Sequence, residues 1–460
     1  MKNIFLLLIL IFIFLIMASV TNYRTFFKKT KISNLVYTKI VPEWSKNLTI
    51  YEVNLRQYSS SGSFKDFEKH LPRLQELGVG ILWFMPIQPI GVINRKGTLG
   101  SYYSVNDYLS VNPEFGTIED FKSMVKKIHE LGMYVIIDWV ANHTSWDNTL
   151  ITEHPEFFTK DSLGKIISPV KDWTDVADLN YDNKKLRRYM IDAMKFWLKE
   201  TNIDGFRCDV AGMVPTDFWE EVHPALDSVK KVFMLAECED PKLHNIAFDM
   251  TYTWDFHNLI TNIAKGNKNA SSLVPLFKKE KTDYTKDAYR MYFTSNHDEN
   301  SWNGTAYEKF GKGVKTFTVL SFIVPGMPLI YSGQEAGLNK RLKFFDKDTI
   351  EWKNDEFFNL YETLIALKKH NKALWNGAYG GDMKILKTSA TDKVFAFTRI
   401  NNKDEILAVF NFSDKSIKTT INNLSVGTYK NVFTKQMLPL NKNTSFKLEP
   451  WGYLLLEKNK

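Results

Sequence analysis

Gly-Phe-Arg-Cys-Asp-Val at residues 205–210 predicts a short apolar strand that presents two opposite charges near its end. Arg207 and Asp209 are two residues apart, so on a strand their side chains project from the same face. A buried charge is expensive unless it is paired and hydrogen-bonded. An adjacent arginine favours the carboxylate, so we expect Asp209 to be ionised and oriented at neutral pH, as a covalent nucleophile must be.

Three further stretches place polar residues at the end of an apolar run. Asp-Trp-Val-Ala-Asn-His at 138–143 follows residues 133–137, and Glu237 follows residues 232–236. Ser-Asn-His-Asp at 295–298 follows a third run of strand-forming residues. Active sites of (β/α)₈ barrels lie at the carboxyl ends of the strands. We therefore expect these side chains to meet at one barrel mouth.

In order and spacing, the four stretches resemble the sequence regions of the α-amylase family of glycoside hydrolases, and the resemblance extends from about Leu48 to Tyr453. It implies an α/β fold, a (β/α)₈ TIM barrel with a short insertion after strand three and a C-terminal antiparallel β-sandwich. Glu-Leu-Gly occurs at 76–78 and again at 130–132, each time before an apolar strand. Such a repeated helix-to-strand joint is typical of serial strand–helix units.

The predicted organisation has four parts. Residues 1–20 are a signal peptide or N-terminal anchor, and residues 21–46 are a polar, basic linker. The catalytic barrel spans 47–372, with its insertion at about 143–182. Short β segments separated by Gly, Asn and Lys predict the β-sandwich at 373–460.

The first residues bear on localisation. Ile4–Met17 is a 14-residue run without a polar side chain. That length suits a secretory signal better than a full membrane span. Basic residues after it oppose translocation. We expect export, with the leader either cleaved or retained as a membrane anchor.

Composition narrows the class of protein. The chain has 460 residues, 44% of them hydrophobic, so it can bury a large core. Its net charge of +8 is spread along the chain, and no nucleic-acid motif accompanies it. Among the 12 Trp, 20 Tyr and 33 Phe, most should pack in the core and a minority should line a sugar-binding cleft. Two cysteines, Cys208 and Cys238, are too few for a disulfide framework, and we expect both to behave as small buried hydrophobic residues. A disulfide bridge between them remains an alternative.

The resemblance implies a catalytic role for three carboxylates. Asp209 is the nucleophile and Glu237, which follows five apolar residues, is an acid with a raised pKa. Asp298 holds sugar hydroxyls and stabilises the oxocarbenium-like transition state. A single Asp at a strand end more often caps the next helix. Three such carboxylates in matching motifs favour the catalytic interpretation.

Other residues are predicted to bind the sugar at the cleaved bond. By the resemblance, His143 and His297 hydrogen-bond its hydroxyls and Tyr103 stacks beneath it, although each could instead be an ordinary structural residue. Arg207 is counted with this substrate-binding set. Asp138 is expected to support the site rather than to react.

A structural Ca²⁺ is also implied. Asn142 and Asp178 match positions that bind Ca²⁺ in many family members, and the carbonyl of Met213 is a third candidate. Oxygen ligands are those that Ca²⁺ prefers. The alternative is that Asn142 only fastens the inserted loop.

One departure from the family pattern concerns the leaving-group side. Many α-amylases have Lys-His where this chain has Gly212 and Met213.

The expected function is a retaining hydrolase that cleaves α-1,4 bonds of starch or malto-oligosaccharides. Two alternatives stay open, a transglycosylase of the same fold and a non-catalytic, membrane-anchored binding subunit. The intact carboxylate set argues against the second alternative.

Overall fold

The computed structural model describes Tyr37, residues 39–353 and residues 355–459. The predicted leader at 1–20 and most of the linker at 21–46 lie outside these residues. In the described part of the chain, no helix combines the length and the apolar character that a membrane span requires. The barrel and the C-terminal sheet belong to one compact unit that begins at Lys39.

Ten strands precede the C-terminal domain in the described chain. They are β1 (Ile50–Val53), β2 (Ile81–Phe84), β3 (Tyr134–Trp139), β4 (His143–Ser145), β5 (Val176–Asp178), β6 (Gly205–Cys208), β7 (Phe233–Ala236), β8 (Met250–Tyr252), β9 (Tyr289–Tyr292) and β10 (Met327–Tyr331). All except β4 and β5 are parallel and close into a barrel in the order β1-β10-β9-β8-β7-β6-β3-β2. The predicted TIM barrel is confirmed.

Alternation along the strands builds two cores. In β3, Ile136 belongs to the cluster inside the barrel, whereas Val135 and Ile137 belong to the cluster between the strands and the helices. This is the two-residue period of a strand with both faces covered. Seven barrel strands contribute apolar side chains to the inner cluster. The exception is β6, which brings Arg207 to the interior instead.

Strand β6 is set tightly against β7. Arg207 pairs in register with Asp138 on one side and with Leu235 on the other. A Cβ atom on Gly205 would lie 1.9 Å from the carbonyl oxygen of Phe233, so only glycine allows this approach. Cys208 points outward into the strand–helix core and is free, as is Cys238.

The helices begin and end at residues that the sequence marks. Thr117 caps Ile118–Glu130 through a capping box with Asp120. Residues 64–77 form two helices rather than one, because Pro72 takes the first turn of the second helix. The α-helices are Leu55–Tyr58, Phe64–Glu68, Leu71–Leu77, Ile118–Glu130, Leu150–Glu153, Lys184–Thr201, Thr216–Asp227, Trp254–Ala264, Leu273–Asp283, Ala306–Phe310, Val314–Ile323 and Glu356–His370.

The C-terminal domain is antiparallel, as predicted. Its strands are β11 (Asp382–Leu386), β12 (Val394–Asn401), β13 (Asp404–Asn411), β14 (Ile417–Asn422), β15 (Gly427–Asn431), β16 (Met437–Leu440), β17 (Asn443–Leu448) and β18 (Tyr453–Lys458). Six form one sheet in the order β11-β12-β13-β18-β15-β16, and β14 pairs with β17. A separate apolar cluster draws on both groups of strands.

Candidate active site

The carboxyl ends of the barrel strands open into a cavity of about 490 Å³. Asp209 directly follows β6, and Glu237 directly follows β7. Asp298 lies six residues beyond β9, where residue 292 ends the strand. All three carboxylates line the cavity together with Tyr103, His143 and His297, so the structure brings these six predicted site residues together.

Arg207 is the charge centre beneath this cavity. Its Nη1 lies 2.9 Å from Asp138 Oδ1 and 3.0 Å from Asp209 Oδ1, and its Nη2 lies 2.8 Å from Glu237 Oε2. The guanidinium is 0% exposed and does not line the cavity. It was predicted to bind substrate, but the structure places it below the cavity wall, where it positions the carboxylates. Asp138, also 0% exposed, supports the guanidinium from behind.

The two carboxylates that share this guanidinium have different acidities. Burial raises the pKa of Asp209 to about 6 despite the charge of Arg207. Burial raises the pKa of Glu237 to about 7 against the same opposing charge. Arg207 favours the ionised form of Asp209, as expected, but desolvation outweighs the ion pair and the net pKa is raised. Asp209 still ionises before Glu237, and the raised Glu237 pKa agrees with its apolar approach strand.

The backbone between these two residues is unusual. Val210 adopts a left-handed conformation with φ of 35°, which a β-branched residue rarely takes. Its N–H donates to Glu237 Oε2 at 2.9 Å. Strained residues persist where the surrounding structure holds them in place, and they cluster at functional sites. Here the strained residue orients a carboxylate.

His297 is held on both sides by acidic or hydroxyl groups. Its Nδ1 donates to Glu52 Oε1, and its Nε2 lies 2.8 Å from Tyr103 Oη. Burial would lower the His297 pKa, but the charges of Asp298 and Glu52 raise it to about 9. The imidazole is therefore cationic at neutral pH. No role for Glu52 was predicted from the sequence. The feature that could have indicated one is an acidic residue within the otherwise uncharged, buried strand β1.

His143 has the opposite charge state. It lies on β4, and burial lowers its pKa to about 4, so the ring is neutral at neutral pH. Tyr103 stacks on His297 at 5.4 Å between ring centroids and donates to Asp138 Oδ2 at 3.1 Å. The Tyr103 hydroxyl thus ties one histidine to the Arg207 cluster.

Several cavity residues were not predicted. The aromatic composition indicated that some rings would line a cleft but not which ones. Lys96 pairs with Asp175 at 2.9 Å and joins the loop after β2 to the insertion. The unpredicted aromatic residues of the cavity are Trp173, Trp302, Phe344 and Phe345.

The proposed calcium ligands lie in the insertion and beside β6. Pairing of β4 with β5 sets His143 opposite Asp178, and Leu179 N–H donates to Asn142 O at 3.1 Å, so Asn142 and Asp178 are neighbours. Met213 ends the short helix 211–213. In the described chain, no group of three His, Cys, Asp or Glu residues is placed to hold a metal. The candidate ligands are one carboxylate, one side-chain amide and backbone carbonyl groups. All supply oxygen atoms, which Ca²⁺ prefers.

Comparison with known proteins places the chain in a class. The model of the α-amylase catalytic domain matches residues 23–174 and 170–356. The model of the maltogenic amylase C-terminal domain matches residues 383–455. The chain therefore belongs to the α-amylase family of glycoside hydrolases.

Individual relatives agree with this assignment. Alpha-amylase 2 of Dictyoglomus thermophilum is 25% identical over 455 residues, which cover 90% of this chain and 76% of that protein. The crystal structure of a maltogenic α-amylase from Thermotoga neapolitana is 32% identical, with a TM-score of 0.84 over 91% of this chain and 100% of that one. An α-amylase structure from Lactobacillus plantarum is 31% identical, with a TM-score of 0.81 over 90% of this chain and 100% of that one.

Proposed function

We propose that this protein is a retaining hydrolase that cleaves α-1,4-glucosidic bonds of starch or malto-oligosaccharides. One observation carries the proposal: Asp209 and Glu237 are bound to one guanidinium at the barrel mouth, where burial raises the pKa of both carboxyl groups. Retaining glycosidases need two neighbouring carboxyl groups, one ionised and one protonated.

The reaction follows from these two groups. Asp209 attacks the anomeric carbon and forms a glycosyl ester while the glycosidic C–O bond breaks. Glu237 gives its proton to the departing oxygen and then, as a carboxylate, takes a proton from the incoming water. The water oxygen displaces Asp209, so two inversions restore the α configuration. Asp298, which lines the cavity, holds hydroxyls of the ring that reacts, while both ring nitrogens of His297 are bonded to Glu52 and Tyr103.

The substrate class is supported by the names of the relatives. The similar structures are called a maltogenic α-amylase and an α-amylase, and the C-terminal model carries the name of maltogenic amylases. These names favour α-linked glucose chains.

The test is reducing-sugar release from soluble starch and from maltotriose by the full chain. We expect release from at least one substrate, and we expect Asp209→Asn to abolish it. Asp192→Asn on the helix Lys184–Thr201 is the matched control, because Asp192 is exposed and away from the cavity, and it should keep full activity. Proton NMR of the first product should show the α-anomer. A folded wild-type protein that releases no sugar from either substrate would overturn the proposal.

Transfer to a sugar acceptor is the second candidate. Gly212, in place of the family's lysine, leaves a small residue on the side of Glu237, and a Cβ there would lie 2.8 Å from Cys238 Sγ. A small residue at this point leaves the leaving-group side open to an acceptor. Chromatography of products with added maltose separates the candidates, since longer oligosaccharides would indicate transfer and their absence hydrolysis.

We also propose a structural Ca²⁺ at Asn142 and Asp178, supported by their adjacency in the insertion. Bound Ca²⁺ stabilises the folded state by mass action. EDTA should lower the Tm, and added Ca²⁺ should restore it. Asp178→Asn should remove that sensitivity. A Tm that is unchanged by EDTA would refute the site.

Export is likewise a proposal, and it rests on the apolar run Ile4–Met17 alone. Fractionation of cells that express the full chain would test it. Recovery from the medium, the periplasm or a membrane fraction is expected, and recovery only from the cytosol would contradict it.

A further inference from the structure

An exposed tryptophan stands at the rim of the catalytic cavity. Trp302 is 51% exposed, the largest exposed fraction of any tryptophan in the described chain, and it lines the cavity. Four other tryptophans are fully buried in the core. An exposed indole leaves apolar surface in contact with water. A bound ligand can cover that surface. Because Trp302 also lines the cavity, it is a candidate contact for a ligand bound there.

The main chain around Trp302 is fixed. It belongs to the π-helical turn Glu299–Asn303, which directly follows Asp298. Such turns are rare and often mark functional sites. Asn300 fastens the turn to the loop after β10, since its Nδ2 donates to Lys340 O at 3.0 Å and its Oδ1 accepts from Leu342 N at 2.8 Å.

The indole also rests on a row of aromatic rings. Its centroid lies 5.1 Å from the Phe344 ring and 5.5 Å from the Phe345 ring. Phe344 is in turn stacked with Tyr103 at 6.2 Å, with 17° between the ring planes. The row leads from Tyr103, beside the reacting sugar, outward to Trp302. Two phenylalanine rings therefore contact the indole while its side chain remains half exposed.

The row points to the retained side of the cleaved bond, because Phe344 packs on Tyr103 and His297, the two residues predicted to contact the reacting sugar. Glu237 must reach the departing oxygen, and it is bound to Val210 N–H beside Gly212. The leaving group therefore lies toward residues 210–213. Phe344 instead lies 6.3 Å from His297, between ring centroids, and contacts Trp302 on its other side. A second glucose ring on the retained side would pass over Phe344 and Trp302.

We propose that Trp302 is the stacking platform for the second glucose ring on the retained side of the cleaved bond, an inference that rests on the proposed function. The carbon-bound hydrogens of a glucose ring form an apolar face that matches a flat indole, whose exposed surface this contact would remove from water. The enzyme would then prefer substrates with at least two glucose units on that side.

Two chromogenic substrates isolate this contact. p-Nitrophenyl α-glucoside places one ring on the retained side, and p-nitrophenyl α-maltoside places two, with the same leaving group. We expect Trp302→Ala to lower kcat/KM about tenfold for the maltoside, or about 1.4 kcal/mol, and to leave the glucoside within about twofold. Trp302→Phe should recover part of the loss, because it restores a flat ring.

The outcomes separate the two proposals. Equal losses with both substrates would indicate a structural role and overturn the inference alone, as would an unchanged maltoside rate. A folded wild-type protein that is inactive on both chromogenic substrates and also releases no sugar from starch or maltotriose would overturn the proposed function and the platform with it. A direct readout is calorimetric binding of maltotriose to Asp209→Asn, which should weaken when Trp302→Ala is added.

Discussion

Two fully buried arginines solve the same desolvation problem differently. Arg207, in β6, is surrounded by three carboxylates, and their charges raise its pKa against the lowering effect of burial. Arg399, in β12, is bonded to four backbone carbonyl oxygens, and burial lowers its pKa to about 9. The accepting carbonyl groups are those of Ile323, Val324, Trp375 and Gly381.

The difference separates a cluster that can take part in catalysis, around Arg207, from one that only stabilises the fold, around Arg399. Carboxylates around Arg207 can gain and lose protons, so that cluster can carry out chemistry. The carbonyl groups around Arg399 cannot gain or lose a proton, so that cluster can only stabilise the fold. Arg399 joins the C-terminal sheet to the end of the barrel helix Val314–Ile323. Lys368 repeats this pattern nearby, because its Nζ donates to Gly326 O at 2.9 Å and to Leu374 O at 2.6 Å.

The largest expected effect is on Arg207. Arg207→Met removes the cation that three buried carboxylates share, which raises the pKa of Asp209 further and leaves Asp209 and Glu237 without their common partner. We expect kcat to fall by about 10³-fold or more, as for loss of a preorganised charge contact. Steady-state kinetics on maltotriose measures it.

The same change can also unfold the protein, since breaking a buried ion pair costs about 3–5 kcal/mol. Arg207→Lys separates the two effects, because it keeps the charge but loses the fork that binds three partners. It should fold, as judged by circular dichroism, and should still lose most activity. Near-normal kcat in the lysine variant would refute a positioning role for Arg207.

A change at Arg399 should act on stability instead. Arg399→Met leaves four carbonyl groups unpaired while it removes a buried charge. We expect a net loss of about 2–4 kcal/mol in the free energy of unfolding, since each unsatisfied buried polar group costs about 1–3 kcal/mol. Urea denaturation measures it, and kcat of the folded enzyme should be unchanged. A tenfold fall in kcat at constant stability would break the contrast.

The dependence of activity on pH should follow the Arg207 cluster alone. Asp209 must lose its proton, with a pKa of about 6, and Glu237 must keep its proton, with a pKa of about 7. The kcat/KM of maltotriose should therefore rise as pH approaches 6 and fall above about 7, by about tenfold per pH unit beyond each limb.

Two variants sharpen the pH prediction. Glu237→Gln should flatten the alkaline limb with p-nitrophenyl glycosides, whose leaving group needs no acid. Arg399→Met should keep both limbs where they are. A single limb in the wild type would contradict the pairing of an acid with a nucleophile.

The smallest effect is expected at Lys368. Burial lowers its pKa well below the usual range, and Arg399 adds to the lowering. Lys368→Met loses two hydrogen bonds but removes a buried amine, so the free energy of unfolding should fall by only about 1 kcal/mol. If Lys368→Met lowered the free energy of unfolding as much as Arg399→Met, both cations would contribute equally to stability.

Much of the barrel could be predicted because its signals are local. An apolar run followed by Asp209 or Glu237 identifies a strand end in one short stretch of sequence. In the C-terminal domain, β11 and β16 are harder to predict because they lie at the edges of their sheet, where exposed residues interrupt the apolar pattern. Strand patterns weaken at edges, because one side of the strand faces solvent.

The missed site residues depend on contacts distant in sequence. Glu52 is visible as an acid within an apolar strand, but its partner His297 lies 245 residues further on. Trp302 acquires its position from a turn fastened to the loop after β10. The pKa of Asp209 could not be predicted from its neighbour Arg207, because the burial that raises it is a property of the assembled barrel.

The place of β18 in the sheet has a consequence for biosynthesis. Tyr453–Lys458 is the last described strand in the chain, yet it lies between β13 and β15 in the middle of the sheet. During translation, β15 and β16 would emerge without the neighbour that links them to β13. The C-terminal domain would thus assemble only once the ribosome has delivered β18, and the barrel beside it could fold first.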